Sequence, residues 1–229
     1  MRTTHSTFRL AGHAVHQITF DPATFTDADL LWLPHHNTLA HAAPKRKAEH
    51  LGGRLAAAHA LRDYGITSIP AIGSSGEPLW PVGVTGSISH TTTRALAVVT
   101  QSGLTGIDGE IILADDEAEE IKDGIVSPAE DTLLRHTALP FAQALTLAFS
   151  AKESLFKALF SEVQAMMGFD SARVTALDET SLTLALTRPL AGFSQDDTFT
   201  LFWLRDGNTL ITLLPPVPAA SRSRWLPQR

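Results

Sequence analysis

Residues 149–160 read FSAKESLFKALF and form the middle of the chain's most regular segment, which runs from about residue 141 to residue 160. Lys152 falls within the apolar stripe of this segment, and Glu153 and Lys157 lie at the edge of the stripe. A buried ammonium without a partner is costly, so this lysine must either snorkel to solvent or bind an anion. The segment predicts a long helix whose apolar face consists of Phe141, Leu145, Ala148, Leu155 and Leu159.

The segments around this helix predict a mixed α and β protein. A second helix of roughly twenty residues is expected after Pro44, with Gly65 as a stop signal and a Gly52-Gly53 pair that indicates close approach of a neighbour or a ligand. The acidic stretch ADDEAEE is expected to be a solvated connection, and VSPAE a turn followed by a helix start. Strands are predicted for Val15–Phe20, RALAVVT, TGIDGEII, ARVTAL, SLTLAL, FTLFWL and LITLL.

The composition indicates a folded protein that does not bind nucleic acid. The chain has 229 residues, of which 44% are apolar and 18% charged, so it can bury a substantial core. It has no cysteine, which excludes disulfides and thiolate metal sites. Its formal net charge of -6 argues against a general nucleic-acid binder. Because we find neither a long apolar run nor a leader pattern, we expect a soluble, cytoplasmic protein without a transmembrane segment.

Two carboxylates stand side by side in the stretch TGIDGEII. Side chains alternate along a strand, so Asp108 and Glu110 point one way while Ile107, Gly109 and Ile111 point the other. Adjacent carboxylates repel each other unless a proton or a cation lies between them, and oxygen ligands favour a hard ion such as Mg²⁺. A metal site is the more specific interpretation, although from these two residues alone the pattern favours an exposed strand edge that bears two acidic residues.

Basic and hydroxyl side chains supply candidate anion ligands. Ser89 and His90 end a glycine-led turn, GSISH, where hydroxyl, imidazole and backbone amides can bind a phosphate. Arg46 and Arg54 lie about 12 Å apart along the helix predicted after Pro44, away from its leucines. Each group also has an ordinary structural explanation, as a satisfied histidine or as arginines on a wet helix face.

Taken together and in this order, RKAEHLGGR, the WP of GEPLWP, GSISH, GIDGE, SPAE and FSAKESLFK resemble the phosphopantetheinyl transferases of the type that serves siderophore synthesis. The resemblance covers nearly the whole chain. It implies an α+β fold with pseudo-two-fold symmetry, in which each half has a small sheet packed on a long helix and coenzyme A lies between the halves. The expected halves are residues 1–112 and 113–215, followed by a mobile tail at 216–229.

The resemblance also implies roles for the candidate residues. Asp108, Glu110 and Glu153 match the Mg²⁺ carboxylates of the family, with Asp108, Glu153 and Lys157 forming the catalytic set. The positions that match coenzyme A phosphate ligands are Arg46, Arg54, Ser89, His90, Lys152 and Lys157. The chain departs from the family pattern at three positions: Gly109 replaces an aliphatic residue, Phe149 a tryptophan and Ser75 a lysine.

The implied reaction is the Mg²⁺-dependent transfer of 4'-phosphopantetheine from coenzyme A to a serine of an apo carrier protein, or of a carrier domain of a nonribosomal peptide synthetase. The expected enzyme is a monomer in an enterobactin-type pathway. Its general base is Glu153, a water bound by the metal, or Glu130 if that side chain reaches the cleft. The alternatives are a Mg²⁺-dependent nucleotide phosphohydrolase and a binding module for carrier proteins or coenzyme A that lacks catalysis.

Overall fold

The structure is a computed structural model that describes residues 1–220. Within these residues, four α-helices pack against two main antiparallel sheets and a small two-stranded one. The helices are α1 (Pro44–Arg62), α2 (Asp115–Ile121), α3 (Pro128–Arg135) and α4 (Phe141–Val163). The strands are β1 (Arg2–Leu10), β2 (His13–Asp21), β3 (Ala71–Ile72), β4 (Pro78–Leu79), β5 (Thr85–His90), β6 (Arg94–Thr100), β7 (Leu104–Ile111), β8 (Ala172–Leu177), β9 (Ser181–Leu186), β10 (Thr198–Asp206) and β11 (Thr209–Val217).

The first half is a four-stranded sheet in the order β1-β2-β6-β5, and α1 packs on its β2, β5 and β6 strands. The paired glycines of α1 allow this contact. A Cβ at Gly52 would lie 3.0 Å from the ring of Phe20, and one at Gly53 would lie 2.8 Å from a methyl group of Ile88. The predicted close neighbour of these glycines is therefore the sheet itself.

The second half is a five-stranded sheet in the order β7-β11-β10-β9-β8, covered by α4. Helix α4 lies directly on the backbone of β7, because a Cβ at Gly106 would stand 1.8 Å from the carbonyl oxygen of Ser154. The apolar stripe predicted for α4 forms much of the core of this half, with Leu145, Ala148 and Leu155 fully buried. This arrangement confirms the α+β fold with one long helix on each sheet.

The two halves meet where the edge strands β5 and β7 lie side by side. Ser87 Oγ accepts a hydrogen bond from the amide of Ile107, and Ser89 Oγ accepts one from the amide of Gly109, both at 3.0 Å. Two serine hydroxyls thus replace the backbone ladder that would otherwise satisfy this edge of β7. An apolar cluster spans the same junction and includes Leu10, Val15, Leu96, Val98, Ile107, Ile211 and Leu213.

A buried ion pair fixes α4 to the elements that precede and follow it. Lys152 is 0% exposed, and its Nζ lies 2.9 Å from a carboxylate oxygen of Glu130 on α3. The same ammonium donates to the carbonyl oxygens of Ile125 and Phe169. Glu130 in turn accepts from the amides of Ser127 and Val174, so the carboxylate caps α3 and holds β8 as well. Both charges are therefore fully hydrogen-bonded.

The structure corrects one predicted element and extends another. The acidic stretch ADDEAEE is mostly helical as α2, because Ala118 buries itself against α4 while three acidic residues occupy the first turn, where the helix dipole favours them. Pro216 and Val217, placed in the predicted tail, belong to β11. Residues 221–229 of that tail lie outside the described residues. The division at residue 113 stays a prediction, although β7, which precedes it, is hydrogen-bonded into the second sheet.

Substituting Gly106 by alanine should separate α4 from β7. The new methyl group would overlap a backbone carbonyl, which cannot rotate away, so we expect a destabilisation of about 3 kcal/mol or more in urea unfolding. The matched control is Gly124→Ala, where no heavy atom lies within 4 Å of the added Cβ. That variant should stay within about 0.5 kcal/mol of the parent. Equal stability of the two variants would contradict the close contact.

Removing the charge of Lys152 should destabilise the fold through its partner. Lys152→Met leaves Glu130 buried without its cation, at an expected cost of about 3–5 kcal/mol in the free energy of unfolding. The double variant Lys152→Met, Glu130→Gln removes both charges and should recover part of this loss. Additive losses in the double-variant cycle would show that the two side chains do not interact.

Candidate functional site

The sequence-predicted carboxylates lie where β7 meets α4. Asp108 is 4% exposed, and its Oδ1 accepts a hydrogen bond from Lys157 Nζ at 2.9 Å. The same ammonium donates to the carbonyl oxygen of Ile107 at 3.0 Å. Strand alternation places Glu110 on the same side of β7 as Asp108, and Glu153 is one helical turn before Lys157. The structure therefore brings the proposed catalytic set, Asp108, Glu153 and Lys157, into one site.

The carboxyl groups of this site influence one another's ionisation. Burial and the neighbouring charge of Asp108 raise the pKa of Glu110 to about 9. Burial and the charge of Asp108 also raise the pKa of Glu153, and the Lys157 ammonium opposes that shift. Three acidic groups therefore share one neighbouring cation, an arrangement that favours uptake of either a proton or a further cation.

The donor set fits a hard divalent cation. The second carboxylate oxygen of Asp108, Oδ2, is buried and has no hydrogen-bond partner among the described residues. Such an oxygen, next to two carboxyl groups with raised pKa values, is an available ligand of the type that Mg²⁺ prefers. Within residues 1–220, no three carboxylate or imidazole groups already stand in metal-binding geometry. Side chains must therefore rotate together before all three can ligate one ion.

A basic group lies on the other side of the β5–β7 junction. His90 ends β5, and its Nδ1 lies 3.4 Å from a carboxylate oxygen of Glu49 on α1. Burial lowers the pKa of His90, and the charges that act on it include Lys157 and Asp108 as well as Glu49 and Arg46. His90 therefore stands between the carboxylate site and the first turn of α1. Arg46 in that turn is exposed.

Two further histidines lie near the arginines of α1. His35 and His50 are joined by a hydrogen bond between their Nε2 atoms at 2.9 Å. Burial and, to a smaller extent, the neighbouring charge of Arg54 lower the pKa of His50 to about 3, and the same two causes lower the pKa of His35. Sequence reasoning missed both residues, because single histidines in a loop and in a helix give no periodic signal.

Several predicted phosphate ligands are used inside the protein instead. Arg54 is 5% exposed and donates to the carbonyl oxygens of Pro70 and Ala71, so it holds the loop after α1. The hydroxyl of Ser89 accepts the Gly109 amide and lies 3.5 Å from Asp108 Oδ1. Lys152 has its three hydrogen bonds to Glu130 and two carbonyl groups. These contacts occupy the three side chains within the protein, and their direct role in phosphate binding stays a prediction.

The two glutamates considered as the general base lie in different surroundings. Glu130 is buried in the ion pair with Lys152 and caps α3, so it does not reach the cleft as one alternative required. Glu153 is half-buried and lines a cleft of about 390 Å³ together with Lys157. The other walls of this cleft are mainly apolar and include Trp80, Ile88, Phe156, Phe160 and Met167. Only Glu153 of the two glutamates has access to a ligand.

The three departures from the family pattern have visible surroundings. A Cβ at Gly109 would lie 3.1 Å from a methyl group of Leu96, so Leu96 occupies the space that a larger side chain would use. The ring of Phe149 packs against Phe169, with ring centres 5.1 Å apart. Ser75 lines the cleft, and its amide donates to Glu77. None of the three replaces a proposed ligand.

Comparison with known proteins covers both halves of the chain. The family model of the 4'-phosphopantetheinyl transferase N-terminal domain matches residues 34–100, and that of the 4'-phosphopantetheinyl transferase superfamily matches residues 105–207. Within residues 1–220, no helix has the length and apolar character needed to cross a membrane.

Several of the similar proteins share one name. The chain is 44% identical to enterobactin synthase component D of Salmonella typhi, over 99% of this chain and 96% of that protein. It is 45% identical to enterobactin synthase component D of Escherichia coli K12, over 93% of this chain and 98% of that protein. A 4'-phosphopantetheinyl transferase of Streptomyces mobaraensis is 30% identical over 90% of this chain and 86% of its own length. The chain belongs to the 4'-phosphopantetheinyl transferase superfamily.

Proposed function

We propose that this protein transfers the 4'-phosphopantetheine arm of coenzyme A to a serine of an apo carrier protein, with Mg²⁺ as its cofactor. The observation that carries the proposal is the meeting of an acidic and a basic group at one junction. Asp108, Glu153 and Lys157 stand on one side, and His90 and Arg46 stand on the other. Coenzyme A has a pyrophosphate and a separate 3'-phosphate, so it needs cations at two points.

The basic side chains would share the phosphates according to their position. Lys157 acts on the ionisation of the carboxylates, so it lies where the pyrophosphate must meet the metal site. Arg46 lies in the first turn of α1 and its charge acts on His50 and His90, which favours the 3'-phosphate as its partner. His90 lies between them. Arg54, Ser89 and Lys152 would support the site from inside the protein.

The metal would be held by Asp108, Glu110 and Glu153. The buried Oδ2 of Asp108, which has no other partner in the described part of the chain, and the crowded carboxyl groups support this set. Mg²⁺ supplies neutralisation of phosphate charge when it is bound. The protein's own contribution is to place Glu153 and Lys157 in the wall of a cleft whose other walls are mainly apolar, where the pantetheine arm can extend.

The transfer is an in-line displacement at phosphorus. The carrier serine oxygen forms a bond to the phosphate that bears pantetheine, and the bond from that phosphorus to the adenosine 3',5'-bisphosphate group breaks. Glu153 would take the serine proton, because its pKa is raised by burial and by Asp108 and it faces the cleft. Lys157 would stabilise negative charge on the phosphates during the displacement.

The biological setting follows from the relatives. Most of the similar proteins carry the name enterobactin synthase component D, so we place this enzyme in the synthesis of enterobactin or a related siderophore. Its carrier partners would be carrier domains of nonribosomal peptide synthetases. A cytoplasmic monomer is the form that we expect.

Mass spectrometry of a carrier domain tests the proposal. Incubation of an apo peptidyl carrier domain with coenzyme A, Mg²⁺ and the protein should add the mass of one phosphopantetheine to the carrier. Chelation of the metal with EDTA should prevent this gain. Phosphate release without any carrier would instead indicate a phosphohydrolase. Coenzyme A binding without a mass gain would indicate a binding module that lacks catalysis.

Substituting Asp108 should remove transfer while keeping the fold. Asp108→Ala is expected to abolish Mg²⁺-dependent labelling, and Asp108→Asn, which keeps the shape, should lower kcat/KM by roughly a hundredfold or more. The matched control is Glu120→Gln, an exposed acidic residue on α2, which should label the carrier like the parent. Circular dichroism checks that the variants are folded. Unchanged turnover in Asp108→Ala would refute the metal assignment.

Comparing coenzyme A with dephospho-coenzyme A tests the place of Arg46. Loss of one charged hydrogen bond costs about 1.5–3 kcal/mol, so Arg46→Ala should raise KM for coenzyme A about tenfold or more. KM for dephospho-coenzyme A, which lacks the 3'-phosphate, should stay that of the parent. Arg62→Ala, at the other end of α1, is the control and should change neither value. Equal rises for both substrates would move Arg46 to the pyrophosphate.

A further inference from the structure

A chain of buried hydroxyl groups joins α4 to the strand that carries Asp108. Ser150 and Ser154 of α4 are 0% exposed, and Thr212 of β11 is 1% exposed. The Oγ1 atom of Thr212 lies 2.9 Å from Ser150 Oγ and 2.8 Å from Ser154 Oγ. Ser150 also donates to the carbonyl oxygen of Asp108 at 3.4 Å, and Ser154 donates to that of Thr212 at 3.1 Å. This row of hydroxyl groups therefore begins and ends on backbone carbonyl groups of the strands.

Every hydroxyl hydrogen in this chain has an acceptor. When Ser150 donates to Asp108 and Ser154 donates to the Thr212 carbonyl, the Thr212 hydroxyl is free to donate to either serine oxygen. A buried polar group that loses its partner costs about 1–3 kcal/mol. Removing one hydroxyl therefore changes the bonding of the other two.

The linked hydroxyls of Ser150, Ser154 and Thr212 lie directly behind the carboxylate site. Thr212 is the residue opposite Asp108 in the pairing of β11 with β7. On α4, Glu153 follows Ser150 by three residues and immediately precedes Ser154, so the two serines bracket it. Lys157, which contacts Asp108, lies one turn beyond Ser154. The hydroxyls thus link the backbone of the strand ligand to the turn of helix that presents the helix ligand.

Apolar contacts alone do not explain hydroxyls at these positions. Elsewhere α4 is held by the apolar side chains of Leu145, Ala148 and Leu155 and by the Lys152 ion pair, none of which bonds to the strand that carries Asp108. Hydrogen bonds are directional, and a fully satisfied buried network rigidifies its surroundings. A device that fixes the axial position and rotation of α4 is needed where two ligands from different elements must meet one ion.

We infer that Ser150, Ser154 and Thr212 are positioning residues that set the separation of Asp108 and Glu153, and thereby the affinity of the site for a divalent cation. This inference rests on the proposed Mg²⁺-dependent transfer. Groups that orient metal ligands from behind typically change metal affinity by about 10–100-fold when they are removed. The hydroxyls touch neither substrate nor metal, so their effect must pass through the two carboxylates.

The test measures metal binding directly with Mn²⁺. Free Mn²⁺ is detected by electron paramagnetic resonance in a titration of the protein in the presence of coenzyme A. Thr212→Val keeps the shape of the side chain but removes the hydroxyl, and we expect it to weaken Mn²⁺ binding about tenfold. Thr212→Ser returns the hydroxyl and should bind Mn²⁺ within about twofold of the parent.

The matched control is Thr146→Val on the same helix. Thr146 is 1% exposed, donates to the carbonyl oxygen of Ala142 and accepts from the amide of Leu113, but it has no bond to Asp108 or Thr212. This variant should lose stability in urea unfolding, since a buried amide loses its acceptor, and should bind Mn²⁺ like the parent. A purely structural role for the hydroxyls predicts that Thr146→Val and Thr212→Val behave alike.

The outcomes distinguish this inference from the proposed function. Unchanged Mn²⁺ affinity in Thr212→Val, or equal weakening in Thr146→Val, overturns the positioning role. If Thr212→Val does not fold, Ser154→Ala decides by the same comparison. A parent protein that labels carriers but binds no Mn²⁺ overturns the metal assignment and this inference with it. A parent protein that binds Mn²⁺ without labelling carriers refutes the transfer, and the affinities of the variants still decide the positioning role.

Discussion

The site depends on how β7 is held on both of its edges. One edge pairs with β11, and on the other edge the amides of Ile107 and Gly109 donate to two serines of β5. The missing side chain of Gly106 lets α4 rest on the face of the same strand. Asp108 therefore sits on a segment whose position is fixed from three directions. The backbone that carries Asp108 is therefore already in place, and only side chains would have to move to bind a cation.

Two consecutive residues of α4 divide support and chemistry between them. Lys152 points into the protein and donates its hydrogen bonds to Glu130 and two carbonyl groups, whereas Glu153 lines the cleft. Successive helix residues are rotated by about 100°, so fixing one side chain fixes the direction of the next. The buried ion pair and the hydroxyls of Ser150 and Ser154 constrain the helix from different sides. The orientation of Glu153 is thus set by neighbouring side chains that are buried inside the protein.

Periodic patterns predicted most of the elements, local chemistry suggested the pair Asp108 and Glu110, and the family resemblance added Glu153. The apolar repeat of α4, the glycine pair of α1 and the alternation in β7 each encode a local geometry that the structure reproduces. Partner choice was harder to predict. The sequence shows that Lys152 needs an anion, but Glu130 and a substrate phosphate satisfy that need equally well until the fold brings α3 against α4. Arg54 follows the same logic, since the loop carbonyls that accept its hydrogen bonds could not be foreseen from the sequence.

Gly109 can now be placed within the same set of constraints. A glycine contributes no side-chain packing to a strand, yet the amide of Gly109 is held by Ser89 and its backbone pairs with Ile211. The side-chain space that it vacates is taken by Leu96, which belongs to β6 in the other half. A larger residue at position 109 would push β6, and β6 pairs with the strand that ends at His90. Because that displacement would alter the distance between the basic group and the carboxylates, Gly109 and Leu96 together set how closely the two halves approach across the site.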